Sequence, residues 1–221
     1  MSPTEPGLFE CMFSMRAMRR LKPDPIPQAT IEKLLQAATQ APSGQNTQPW
    51  AFLVLTEAAD RQFFADHYRH WFHKLAGGNA MPDADDRSKR ARQMRAAGHL
   101  ADHMHEVPLI VLAFGKRDWP FVVPKDKRVG LAPPSYGSIY PAVQNLLLAC
   151  RGLGLGASLT TMHQMFQAEL YEHFEIPQDY GVVASIPIGY PQGNFGPVSR
   201  RPLEEKVHYG RWNVRAPGET V

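Results

Sequence analysis

The chain has 221 residues, 43% of them hydrophobic and 20% charged, with a net charge of +3. That is enough apolar material for one substantial core, and the near-balanced charge demands neither a nucleic-acid groove nor a membrane-surface patch. Cys11 and Cys150 are the only cysteines and form no CxxC pair, so their spacing implies no disulfide framework and no zinc site, and reduced cytoplasmic thiols fit best. The sequence has no run of about 18 apolar residues, and its N-terminus lacks the apolar core of a secretory signal; a single soluble, cytoplasmic domain over residues 1–221 is expected.

From Leu8 to Leu21, the apolar residues Leu8, Met12, Met15 and Met18 recur at helical spacing and predict a first helix, closed by Arg16, Arg19 and Arg20 and stopped by Pro23 and Pro25. The arginines read either as ordinary surface charge or as an anion site. Thr30 reads as the N-cap of a second helix with one apolar stripe of Ile31, Leu34, Leu35 and Ala38. Ala41 to Trp50, APSGQNTQPW, breaks that helix at Pro42 and sets Ser43, Asn46 and Gln48 where backbone groups are already unpaired. This stretch is either a plain polar turn or a site for a flat ligand with alternating donors and acceptors.

Phe52 to Leu55 predicts a short buried strand, and residues 58–75 an aromatic amphipathic helix ended by Gly77-Gly78. A helix over Asp85 to His105 carries the basic run Arg87, Lys89, Arg90, Arg92 and Arg95, which reads as a solvated face rather than an RNA surface. His67, His70, His73, His99, His103 and His105 show no metal-ligand spacing. Leu109 to Phe114 is a second buried strand. Lys116 to Gly137, rich in proline and aromatics, is a long connection that either covers a flat substrate or makes a surface or subunit contact.

Ile139 to Leu153 is apolar nearly all round and predicts a central helix buried on several sides. Gly152, Gly154 and Gly156 follow a helix and lead into a β-favouring segment, so they read as helix-stop and turn glycines and not as a dinucleotide fingerprint. Gln164 to Phe174 reads as a further helix, and Tyr180 to Pro191 contains the last strand. Residues 204–221 lack a core pattern, which makes them a tail expected to pack on a partner subunit.

Pro42-Ser43-Gly44-Gln45-Asn46-Thr47-Gln48-Pro49-Trp50 resembles the flavin-lining loop of the nitroreductase-like FMN-dependent flavoproteins. Arg16-Ala17-Met18-Arg19 is similar to that family's phosphate-holding Arg-Ser-x-x-Arg pattern, with Ala17 lacking the expected hydroxyl. The Gly152 to Thr161 stretch resembles its Gly-Leu-Gly turn and strand, and Arg200 to Leu203 its closing Arg-x-Pro-Leu segment. The resemblance implies an α+β three-layer sandwich, with a central, mostly antiparallel sheet flanked by helices, in an intertwined homodimer that builds each FMN site from both subunits. Its implied cofactor-binding residues are Arg16, Ala17, Met18, Arg19, Pro42, Ser43, Asn46, Leu159, Thr160, Thr161 and Arg200.

Guanidinium groups match a phosphomonoester bidentately, and an amide such as Asn46 can both donate to and accept from the flavin's pyrimidine edge. The implied activity is ping-pong hydride transfer through flavin N5, from NADPH or NADH to a nitroaromatic, quinone or similar flat acceptor. Neither nucleic acid nor membrane is an expected partner, and no catalytic side chain or metal is assigned. Two alternatives stay open: an FMN carrier or sensor without turnover, and an FMN-dependent dehalogenase or flavin-degrading enzyme on the same fold.

Overall fold

A four-stranded antiparallel sheet forms the middle layer of the computed structural model, which describes residues 6–76, 81–117 and 134–215. The strands are β1 (Trp50–Leu55), β2 (Leu109–Lys116), β3 (Gly156–Ala157) and β4 (Tyr180–Gly189), in the order β1-β2-β4-β3. The helices are α1 (Leu8–Ser14), α2 (Gln28–Thr39), α3 (Ala58–Ala76), α4 (Lys89–Asp102), α5 (Pro134–Gly152) and α6 (Gln167–His173). No described helix is long and apolar enough to cross a membrane.

Alternation along β2 explains the layering, because successive side chains point to opposite faces of a sheet. Ile110, Leu112 and Phe114 pack with Phe64 and Tyr68 of α3 and Leu100 of α4, whereas Leu109, Val111 and Ala113 pack with Leu34 of α2 and Val143 and Leu146 of α5. Both faces are covered, so β2 reads as an unbroken apolar run. β1, at the sheet edge, is only half-buried except at Leu55, where the sequence suggested a fully buried strand.

The first helix stops at Ser14, seven residues short of Leu21. Beyond it the chain runs extended along the outside of β3. The Met18 N–H donates to the Ala157 carbonyl at 2.9 Å, Ala17 bridges Ala157 in parallel, and Leu21 bridges Pro191. Met18 and Leu21 are buried by this edge pairing while Leu8 and Met12 stay exposed, so tertiary pairing overrides the helical spacing of the apolar residues. Thr30 lies inside α2, whose cap position is Pro27. α4 is shorter than expected: Ser88 caps it by accepting the Ala91 N–H at 3.1 Å, and its end passes into a 3-10 turn, Met104–Glu106.

The central helix α5 begins five residues before Ile139, with Pro134 at its first position, where a missing N–H costs nothing. After it, Gly154 takes φ +74°, the left-handed turn that glycine provides most cheaply. The expected helix over Gln164 to Phe174 divides into a 3-10 turn, Met162–Phe166, and α6. Gly77-Gly78, and the Lys116 to Gly137 connection between Arg117 and Pro134, lie outside the described residues.

Strand register separates two corners of the sheet. Trp50 sits opposite Gly115 at one end of β2, and Ala157 aligns through Ile188 with Leu109 at the other. Three strand spacings across and six residues along amount to about 25 Å on the diagonal.

Candidate functional site

The first corner gathers three stretches that are distant in sequence. Residues 190–198 run back along 13–22: Lys22 N–H donates to Tyr190 O at 2.7 Å, Gln192 N–H to Arg20 O at 3.0 Å, and Val198 N–H to Phe13 O at 3.0 Å. Within this pairing the exposed Arg16 guanidinium donates to the Asn194 carbonyl at 2.8 Å. Arg200 follows two residues after the Val198–Phe13 tie, exposed, and donates to its own neighbour's carbonyl, that of Ser199, at 3.0 Å. Backbone pairing thus lays the segment that leads to Arg200 along the segment that carries Arg16. Arg151 braces it, donating to Ser14 Oγ at 2.8 Å and Glu10 at 3.1 Å while its guanidinium lies over Phe195.

Of the Arg16–Arg19 stretch, Met18 turns its side chain into the core and gives its N–H to Ala157, so it can offer a ligand only its carbonyl. Arg16 and Ala17 face solvent, and Arg19 is half-buried. Arg19 lies close enough to the Tyr68 phenol for its charge to act there. Burial dominates and raises the Tyr68 pKa above its usual 10.0, against the opposing hydrogen bond to Thr160 and the Arg19 charge. The first landmark is therefore continuous with the second, Leu159 to Thr161.

That second landmark is an extended stretch with alternating exposure: Leu159 and Thr161 face outward and Thr160 is half-buried. The Thr160 backbone exchanges two hydrogen bonds with Ser185 of β4, at 2.9 and 3.0 Å, and its hydroxyl also accepts the Met162 N–H at 3.3 Å. Thr161 starts the 3-10 turn without capping it through its hydroxyl.

The third landmark occupies the far corner, where Lys116 N–H donates to Pro49 O at 2.8 Å. Ser43 Oγ accepts the Gln48 N–H at 3.0 Å and closes the loop on itself, while Pro42 and Asn46 are exposed. Gln45, Asn46 and Gln48 all hold positive φ, 53°, 54° and 48°. Three non-glycine residues in the left-handed region of one short loop is a concentration of backbone strain of the kind found at ligand clamps. In one chain this loop lies across the sheet from the arginine corner.

Sequence reasoning missed Tyr68, Asn194, Arg151, His163 and Ser185. Tyr68 was legible only as one more aromatic on an amphipathic helix, and the Asn194 contribution is a backbone carbonyl that no residue type announces.

The profile of the Nitroreductase family matches residues 14–190. The chain belongs to this family. The nitroreductase-family chain is 26% identical to a 5,6-dimethylbenzimidazole synthase of Rhodospirillum rubrum, over 97% of its own length and 93% of the relative's. It is 27% identical to a nitrobenzene nitroreductase of Ectopseudomonas oleovorans, over 92% and 96% of the two chains. Among solved structures, iodotyrosine deiodinase bound to FMN and 3-iodo-L-tyrosine superposes with a TM-score of 0.68 at 22% identity, covering 94% of this chain and 100% of the other. The α+β fold expected from the sequence is the fold of these proteins.

Proposed function

We propose that this nitroreductase-family chain is an FMN-dependent oxidoreductase that takes electrons from NADH or NADPH and passes them to a flat acceptor, a nitroaromatic or a quinone. The observation that carries the reading is the arginine corner: Arg16 and Arg19 flank Met18, which pairs with Ala157 two residues ahead of the outward-facing Leu159–Thr161 stretch, and Arg19 and Thr160 both act on Tyr68, bringing fixed positive charge next to a partly apolar ledge. That donor set fits FMN, whose phosphate suits guanidinium groups and whose ring needs a surface to lie on. Ala17 brings no hydroxyl, so its share in holding the phosphate falls to its backbone. When bound, FMN supplies the reversible hydride acceptor of the reaction.

The chain's own contribution is binding and bias. Ser43 and Asn46 supply hydroxyl and amide groups for the polar edge of the ring, and donors fixed in advance favour extra negative charge there without reorganising. Because the strained loop and the arginine corner stand about 25 Å apart in one chain, a complete site takes its loop from a second copy. The surface agrees with a homodimer: α1 exposes Leu8, Phe9 and Phe13, and Leu203, just ahead of the C-terminal tail, and Trp212 within it are exposed at 69% and 79%. An apolar helix face and a tail of this kind suit an extensive interface between copies. The free thiols Cys11 and Cys150 are both buried, in keeping with a cytoplasmic protein.

Purified protein is expected to be yellow, to bleach under anaerobic NADH or NADPH, and to recover colour on adding a quinone. A flavin band that persists with both nicotinamides would overturn the reductase. A second reading, reductive dehalogenation or flavin breakdown, is favoured by the near full-length match to the 5,6-dimethylbenzimidazole synthase and by the fold shared with the deiodinase. Iodide release from 3-iodotyrosine, or oxygen-dependent loss of the flavin ring, identifies that outcome.

A further inference from the structure

Arg151 lies in the last turn of α5, its side chain only 12% exposed, where a positive charge suits the carbonyl end of a helix. Its Nε–H donates to Ser14 Oγ at 2.8 Å and its Nη2–H to Glu10 Oε1 at 3.1 Å. Glu10 and Ser14 stand one turn apart on the same face of α1, so a single guanidinium reaches both. The one hydroxyl proton of Ser14 goes to the Glu10 carbonyl, which leaves the Ser14 oxygen free to accept from Arg151.

A guanidinium donates within its plane and stacks through its faces. Arg151 uses both: the in-plane donors hold α1, and the central carbon stands 4.4 Å from the centre of the Phe195 ring. These contacts fall on the two segments that pair at the arginine corner. Ser14 is two residues ahead of Arg16, whose guanidinium donates to the Asn194 carbonyl, and Phe195 is the next residue after Asn194. Three residues beyond Phe195, the Val198 N–H donates to Phe13 O at 3.0 Å, and Arg200 follows two residues later.

We propose that Arg151 is a positioning residue for the arginine corner: it fixes the spacing between the segment that carries Arg16 and the segment that leads to Arg200, and so favours a flavin with a phosphate over one without. Arg151 itself touches no ligand. The inference rests on the flavin reading only for the identity of that ligand. Lysine cannot replace it, having neither the planar fork nor the flat face.

The test follows Arg151→Met and Arg151→Lys. Met leaves no buried polar group unpaired, because the Ser14 hydroxyl keeps the Glu10 carbonyl and the Glu10 carboxylate is 62% exposed. Hydrogen exchange is measured in flavin-free protein at two amides of the same pairing: Val198, close to Phe195, and Lys22, which donates to Tyr190 O at the other end. FMN and riboflavin affinities are read by fluorescence quenching, and folding by thermal melts. Both variants are expected to speed Val198 exchange and to leave Lys22 within about twofold of the parent, since the opening is local. Both should weaken FMN binding about tenfold, the scale of one charge-assisted bond displaced, and leave riboflavin binding within about twofold.

FMN and riboflavin affinities that fall together, FMN affinity restored in Arg151→Lys, or Val198 exchange that speeds no more than Lys22 exchange would each overturn the proposal. If Arg151→Met does not melt cooperatively, Phe195→Leu, which removes the ring that the guanidinium covers, is read in its place with the same expectations. A parent protein that takes up no FMN overturns the flavin reading alone, and the Val198 and Lys22 amides then decide the positioning role.

Discussion

Gly156 of β3 is where the arginine-bearing segment comes closest to the sheet. A Cβ there would stand 2.9 Å from Met18 Cβ, 2.9 Å from Leu21 Cδ2 and 3.2 Å from Pro191 Cβ. The leucine tip can rotate away, but the Met18 Cβ is fixed to backbone. Restoring a carbon–carbon separation of about 3.6 Å moves that backbone by roughly 0.7 Å. A shift of that size stretches the 2.9 Å bond from Met18 N–H to Ala157 O beyond useful length. Overpacking and the lost bond together come to about 2 kcal/mol, which lowers Tm by roughly 4–8 °C in a chain of this length. Because Arg16 and Arg19 flank Met18, Gly156→Ala should also weaken FMN uptake, read by fluorescence quenching. The control is Gly154→Ala, where nothing lies within 4 Å of the new carbon and φ is +74°. It costs about 1 kcal/mol through the backbone alone and leaves FMN affinity unchanged. Unaltered Tm and affinity in Gly156→Ala would refute the close edge pairing and its role in placing the arginines.

Arg16→Ala and Arg200→Ala should each weaken FMN binding about 10–100-fold, as expected for a lost charge-assisted contact, and hardly alter binding of riboflavin, which has no phosphate. Equal losses for both ligands would remove these residues from the phosphate. Replacing Phe9 and Phe13 together by Ser should yield monomer in analytical ultracentrifugation and abolish FMN uptake; monomer that still binds FMN would mean that one chain holds a whole site. His163 titrates at about 4 in the folded chain against 6.5 for the free group, so the unfolded chain takes up its proton first as pH falls. Its contribution is fully present above about pH 6.5 and is lost progressively toward pH 4, by about 3 kcal/mol at most. His163→Asn should flatten the acid limb of a Tm-against-pH curve, and an unchanged limb would show that the imidazole is not held neutral by burial.

Much of the fold was legible in the sequence because its elements follow simple periodicities. β2 is buried on both faces, α2 has one stripe, and Pro42 and Gly154 punctuate where predicted, whereas the central helix α5, expected to be buried on several sides, buries one face through Ile139, Val143, Leu146 and Cys150 and exposes Tyr140 and Gln144. The first helix misled for a physical reason. Met15 and Met18 repeat at helical spacing, but Met18 is buried by pairing with Ala157, a partner more than a hundred residues away that local periodicity cannot reveal. The candidate site divides in the same way. The Ser43 and Asn46 loop stands out by composition and takes its role from the family resemblance, and the Thr160 stretch rests on the resemblance alone. The Arg16 contact to Asn194 and the pairing of Ser185 with Thr160 are made through backbone groups and buried residues with no sequence signature.

A site shared between two copies, as proposed above, would have a genetics of its own. A chain lacking Arg16 still offers an intact Ser43 and Asn46 loop, and a chain lacking Asn46 still offers its arginines. Two colourless variants, one damaged at each corner, should therefore turn yellow when co-refolded. With random pairing, about a quarter of the sites are rebuilt whole, each in a mixed dimer whose other site carries both defects.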